Sequence, residues 1–314
     1  MRGVWPRRLL SGLVVLALLA VLGSTWFAHR LLVEVLSGRA FATAPEGITD
    51  PLTLGYRGDP MQAFGLPFET LMVETPLGPA PAWYVPGTPG ATRAAVVVHG
   101  IGGAREDGYL YLPELHAAGL PVLLISYRND AGAPAAPDGL RAFGLTEWAD
   151  LEAAVALLET RGIDQVVLVA ASMGGGIAGQ FLARSDYADL VEALVLDAPA
   201  LDAPAVLRHV TDLLGLPLRS LGAPLAVPAF GLTHGVNLAQ ARVTEVLAQF
   251  EGPILLFHGT RDRIVPPATS LALLEARQGQ TTVLLTPGDH LQSRATAPER
   301  FTTLLSGFLS ALPR

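Results

Sequence analysis

The chain has 314 residues, half of them hydrophobic, no cysteine, and a formal net charge of −7 at pH 7. Without cysteine there is no disulfide, thiolate metal site or cysteine nucleophile, and the acidic balance with no Lys/Arg stripe argues against nucleic acid as a partner. The mean hydropathy of +0.41 is high for a wholly water-soluble chain, so the placement of the apolar residues matters.

They concentrate first at the N-terminus. The stretch "LLSGLVVLALLAVLGSTWFA", residues 9–28, carries no charge. At about 1.5 Å per residue it spans a hydrocarbon core of roughly 30 Å. Arg2, Arg7 and Arg8 precede it, while His29 and Arg30 follow. That excess of positive charge predicts an inside N-terminus and a domain on the extracytoplasmic side. Residues 1–30 are therefore expected to form a signal anchor, making this a single-pass membrane protein. The alternative is a cleaved signal peptide and a secreted domain, but the apolar run continues beyond the weak "VLGS" site through Trp26 and Phe27.

Residues 31–67 read as a juxtamembrane helix, "LLVEVLSGRAF", and a Pro/Gly-rich linker from Ala44. A folded domain is expected over 68–314. It opens with two extended runs around "TPLGPAP", the pattern of a β-hairpin. Short apolar runs follow: "AAVVVHG", "PVLLISY", "QVVLVAAS", "ALVLDAP", "PILLFHG" and "TTVLLTPG". Their near-continuous hydrophobicity predicts strands covered on both faces, as in a parallel sheet. Between them, "LTEWADLEAAVALLETRG" predicts a helix, with Thr146 as N-cap and Gly162 just past its end. Alternating strand and helix gives the fold class: α/β, a doubly wound, mostly parallel sheet. About residues 200–250, helical pieces broken by "GLPLRSLGAPLAVPAFGLTHG" predict a helical lid inserted between two strands.

Ligands of such sheets bind at the carboxyl ends of the strands. The polar residues placed there are His99 in "HGIGG", Ser172 in "AASMGGG", Asp262 in "HGTRDRIVP" and His290 in "GDH". Serine, aspartate and histidine follow one another in that order along the chain. With "SYRNDAGAP", these motifs cover most of the chain beyond the anchor and resemble the α/β-hydrolase superfamily, in particular its prolyl-oligopeptidase-like single-domain members.

The resemblance implies that Ser172 is the nucleophile, His290 its base, and Asp262 the carboxylate that orients His290. It also implies an oxyanion hole built from the backbone N–H groups of Ile101 and Met173. One departure is Ala170, which stands where the family's elbow has its first glycine; a single added methyl is expected to be tolerated there.

Other readings narrow the set. Asp197, at the end of "ALVLDAP", is the rival for the acid, and Asp289 reads as a loop residue. His99 and His258 are expected to brace loops, and Tyr127, Arg128 and Asn129 to brace "HGIGG". His116, His209 and His234 read as surface or structural. No His pair with a carboxylate has metal-ligand spacing, so no metal and no cofactor is expected. Apolar lid residues (Leu213, Leu214, Leu216, Leu221, Leu225, Val227 and Phe230) favour a small-molecule ester or acyl substrate of lipophilic character. The activity expected is a carboxylic-ester hydrolase acting through an acyl-enzyme. A serine peptidase and a non-catalytic binding protein at the membrane are the alternatives.

Overall fold

The computed structural model describes residues 4–39, 47–213 and 219–313. Arg2, the start of the linker at Ala44, and Leu214 and Leu216 lie outside the described residues, as do the side chains of Arg7 and Leu221.

Helix α1, Val4–Leu36, is one unbroken element of 33 residues and continues through the boundary expected at residue 30. Length and composition make it able to cross a membrane. Its two parts differ in surroundings. From Leu9 to Phe27 the large apolar side chains are mostly exposed, whereas Ala28, Leu32 and Leu36 are buried, the two leucines in the main core. Those three are spaced four apart and so fall on one stripe of the helix. Gly38, at φ 79°, turns the chain away.

A short helix, α2 (Pro60–Phe64), is closed by a capping box in which Asp59 accepts the Gln62 N–H. The hairpin expected at the start of the domain is present as β1 (Glu69–Thr75) and β2 (Gly78–Val85). Then come β3 (Arg93–Val98), α3 (Leu112–Ala117), β4 (Val122–Ile125), α4 (Trp148–Thr160), β5 (Gln165–Ala171), α5 (Met173–Arg184) and β6 (Val191–Asp197). The segment between sheet strands that follows is helical: α6 (Ala203–Leu213), α7 (Arg219–His234) and α8 (Thr244–Gln249). The chain finishes with β7 (Ile254–Gly259), α9 (Pro267–Ala276), β8 (Thr281–Thr286), α10 (Ser293–Thr296) and α11 (Pro298–Ser310).

The eight strands form one sheet in the order β1-β2-β4-β3-β5-β6-β7-β8. Pairing is antiparallel from β1 to β4 and parallel from β3 onward. Alternate residues supply two separate cores, as a period-two pleat requires. Val96, Val98, Leu168 and Ala170 face the core that holds the end of α1, whereas Val97, Val167 and Val169 face the core under α3 and α11. Fully apolar central strands are therefore the correct signature of a sheet covered on both sides.

Two local expectations fail. Thr146 does not cap α4; Glu147 occupies the N-cap position, and its carboxylate accepts the Ala142 and Gly144 N–H groups at 2.7 and 2.9 Å. The Pro-bearing stretch of the insertion is helical: α7 runs through Pro224 and Pro228. Each proline forfeits one i→i−4 bond, but α7 packs along α1 with Phe230 and Ala226 buried, which offsets the loss.

Candidate active site

At the carboxyl edge of the sheet, β5 ends on Ala171 and α5 begins on Met173, leaving Ser172 alone to make the turn. It does so at φ 53°, ψ −120°, a sparsely populated conformation for a residue with a Cβ. Neighbours hold it there. The Ser172 N–H donates to the Asp197 carbonyl (2.9 Å), and its own carbonyl accepts the N–H groups of Gly175 (3.0 Å) and Ala200 (2.8 Å). Glycine is required around it because the chains nearly touch. A Cβ on Gly174 would lie 2.2 Å from the Val98 carbonyl oxygen, and one on Gly100 would lie 2.8 Å from the Ser172 Cβ. Ala170 is fully buried, so its extra methyl is accommodated. Positive φ recurs at Ala198 and Leu291, beside Asp197 and His290.

The sequence-predicted trio converges. His290 Nε2 stands 2.9 Å from Ser172 Oγ, and His290 Nδ1 stands 2.7 Å from Asp262 Oδ2. An ionised carboxylate only accepts. His290 Nδ1 therefore carries the proton, and Nε2 is free to accept from the Ser172 hydroxyl. Asp262 is buried, and its Oδ1 accepts the N–H groups of Ile264 and Val265, each at 2.8 Å. Burial alone would raise its pKa, but hydrogen bonds with His258 and His290 outweigh it and hold the carboxyl far below its ordinary range.

His258 has a supporting position. Its Nδ1 accepts from the Ser270 hydroxyl at 2.7 Å, and its Nε2 donates toward the Val265 carbonyl (3.2 Å) and Asp262 Oδ2 (3.3 Å). The rival acid, Asp197, is not bonded to His290. Its Oδ2 accepts the Tyr111 hydroxyl at 3.0 Å, and its Oδ1 is buried with no partner among the described residues. Burial pushes its pKa up to about 6 despite the Tyr111 hydrogen bond. Asp289 is a loop residue tied to Arg263.

Met173 opens α5, where a first-turn N–H has no carbonyl four residues back. Ile101 follows β3 and borders both cavities that meet at Ser172. Its loop is braced from below. Both ring nitrogens of His99 face acceptors, the Gly100 carbonyl (2.8 Å) and Asp130 Oδ2 (2.9 Å). Burial would lower the His99 pKa, but the Asp130 carboxylate outweighs it and raises it. The Tyr127 hydroxyl donates to the His99 or Gly100 carbonyl, Arg128 pairs with Asp150, and the Asn129 amide donates to the Leu140 carbonyl. Of these three, Tyr127 is the one that touches the loop directly.

Two cavities flank the serine. The larger, of about 820 Å³, is lined mainly by apolar side chains of α1, α6 and α7 together with Ile101, Ser172 and Met173. The smaller, of about 220 Å³, is bordered by His290, Leu291, Ser172, Arg57 and Asp107. Several contributors were not visible in the sequence. His209 on α6 bonds the Asp262 carbonyl through Nε2 at 3.2 Å. Arg141 reaches Asp130 Oδ1 at 2.8 Å. Neither has a local motif; both arrive through tertiary packing. Among the described residues no group of His, Asp and Glu is arranged to hold a metal ion.

Comparison with known proteins accords with this architecture. Residues 95–215 match a family model described as alpha/beta hydrolase fold. The Pyrococcus furiosus esterase Pf2001 superposes with a TM-score of 0.62 at 18% identity, over 82% of this chain and 95% of that one. Esterase RhEst1 from Rhodococcus sp. ECU1013 gives 0.56 at 18% identity, over 78% and 99%. A bromoperoxidase from Bacillus anthracis gives 0.54 at 19% identity, over 77% and 100%. At such identities the likeness is one of fold. No curated protein matches the chain.

Proposed function

Starting from a chain with the α/β-hydrolase fold, we propose that it is a serine hydrolase of carboxylic esters, anchored in a membrane by α1. The observation that carries this reading is the relay Asp262–His290–Ser172, at 2.7 and 2.9 Å, set on a strained turn beside a large apolar cavity. A serine hydroxyl is a weak nucleophile until a base can take its proton. His290 Nε2 is that base, and Asp262 fixes its tautomer and stabilises the imidazolium.

In the proposed cycle Ser172 Oγ attacks the ester carbonyl while its proton passes to His290 Nε2. The Ile101 and Met173 N–H groups stabilise the oxyanion, a contribution of about 10²–10³ in rate for each donor. The C–O bond to the alcohol breaks, and the alcohol leaves with the proton from His290. Water then repeats the sequence on the acyl-enzyme and releases the acid. The leaving alcohol must lie beside His290, which lines the smaller cavity; the acyl group is thereby assigned to the larger, apolar one. Esterases among the structural neighbours support the choice of ester over amide. The arginines at the start of the chain support an inside N-terminus, with the hydrolase domain extracytoplasmic.

The test uses the full-length protein in detergent micelles, a fluorophosphonate probe and 4-nitrophenyl esters. Parent protein is expected to label and turn over esters. Ser172→Ala abolishes labelling, and Ser172→Ala and His290→Ala each lower kcat by about 10⁴-fold or more. An unlabelled parent, or one that cleaves aminoacyl 4-nitroanilides in preference to esters, overturns the reading.

A further inference from the structure

The larger cavity has an unexpected wall. Ala28, Leu31, Leu32 and Val35, all on α1, line it together with Ser172. The helix that enters the membrane thus also borders the candidate nucleophile's pocket.

This end of α1 is bonded into the domain. The Leu36 carbonyl accepts the Arg141 N–H at 2.9 Å, and the Ser37 carbonyl accepts from Arg141 Nη1 at 3.2 Å. On its other side Arg141 holds Asp130, which holds His99 in the loop that carries Ile101. A Cβ on Gly38 would lie 3.4 Å from Gly102 of that same loop. The helix end is therefore as fixed as the oxyanion loop it touches.

Part of the cavity's rim lies beside this helix. Leu232 of α7 lines the cavity yet is 89% exposed, which marks one edge of the mouth; exposed Arg208, Asn237 and Arg242 mark another. Its neighbours on α7 meet α1 at His29: His29 Nε2 bonds Thr233 Oγ1 at 3.0 Å, and the His29 ring stacks on His234. His29 lies two residues beyond Phe27, which with Trp26 ends the exposed apolar run, and Trp26 is 65% exposed. An exposed tryptophan at the end of an apolar span is the residue expected at a membrane–water interface. That edge of the mouth thus lies beside the end of the exposed apolar span.

We infer that the two turns Ala28–Val35 of α1 form the acyl-chain wall, and that the substrate is a long-chain acyl ester of a small alcohol, taken from the lipid layer that the same helix enters. The inference rests on the ester-hydrolase reading of the site. It explains why the larger cavity is apolar and opens beside the span, and why the alcohol side offers only about 220 Å³.

The experiment uses full-length protein, with fluorophosphonate labelling of Ser172 as the sign of a formed site. In detergent micelles the parent is expected to favour 4-nitrophenyl dodecanoate over the butyrate. Leu31→Trp and Val35→Trp lower the dodecanoate-to-butyrate ratio of kcat/KM at least tenfold, and Leu13→Trp, on the exposed part of α1, leaves it unchanged. If a tryptophan variant fails to label, Leu31→Ala reads the same wall from the other direction and raises the hexadecanoate-to-dodecanoate ratio. Labelled wall variants with an unaltered ratio overturn the inference and leave the ester-hydrolase reading standing. An unlabelled parent overturns both. With protein and monododecanoylglycerol together in phosphatidylcholine vesicles, the rate follows the mole fraction of ester in the bilayer. A rate that follows bulk concentration at fixed mole fraction overturns delivery from the lipid.

Discussion

Asp197 ends β6 and Asp262 follows the adjacent β7, yet these two buried carboxyls behave oppositely. Asp262 has two backbone donors and two imidazoles, so its charged form is the favoured one. Its folded pKa lies below the unfolded value of about 3.9. The stability it contributes is therefore present above about pH 4 and lost as pH falls toward its folded value. Asp262→Asn is expected to flatten the acid limb of a Tm-against-pH curve, and to lower kcat roughly 10⁴-fold through the wrong His290 tautomer. Asp197 has one hydroxyl donor and an unpartnered oxygen, and its pKa is pushed up to about 6. Between about pH 4 and 6 the folded protein keeps a proton that the unfolded chain releases, so stability declines with rising pH in that window. Asp197→Asn removes that decline, worth on the order of 3 kcal/mol, and the check is the difference in Tm between the two proteins at pH 4 and 7. The sequence allowed both residues as the acid, and strand order favoured Asp262. What it could not supply was His209 or Arg141, whose partners are 53 and 11 residues away across the fold.

At the scale of elements, the glycines after Ser172 are a packing requirement as much as a turn signal. Gly174→Ala places a methyl against the Val98 carbonyl, and neither the strand nor the helix can yield cheaply. It is expected to cost about 3 kcal/mol and to lower Tm and fluorophosphonate labelling together, whereas Ala170→Gly leaves labelling intact. The elbow was legible because strand, serine and glycines lie within a dozen residues. Helix α7 was not: prolines at 224 and 228 argue locally for a break, and packing, above all against α1, makes a helix there favourable. The docking stripe of α1 was hidden for the opposite reason. Ala28, Leu32 and Leu36 have helical spacing, but a helix apolar on nearly every side shows no contrast from which to choose a face.

For the whole molecule, α1 belongs to two environments, and a cut within it has a different outcome on either side of residue 28. A chain beginning at Thr25 keeps Ala28, Leu32 and Leu36 in the core. One beginning at Ala44 loses all three, along with two of the acceptors of Arg141, the Leu36 and Ser37 carbonyls. The first is expected to keep the Tm of the parent domain. The second falls by on the order of 5 kcal/mol, about 10 °C or more, as thermal unfolding followed by circular dichroism would read.

In the proposed cycle, the two cavities meeting at Ser172 also set an order of events in time. In that cycle the alcohol departs through the small pocket beside His290, and the hydrolytic water enters in its place. The acyl group stays in the apolar one, and the freed acid must afterwards leave past Leu232. Alcohol release thus runs ahead of acid release. Rapid mixing with a long-chain 4-nitrophenyl ester is expected to give a pre-steady-state burst of nitrophenolate, close to one equivalent per active serine, followed by a slower linear phase. Butyrate, held by less of the wall, is expected to show a smaller burst.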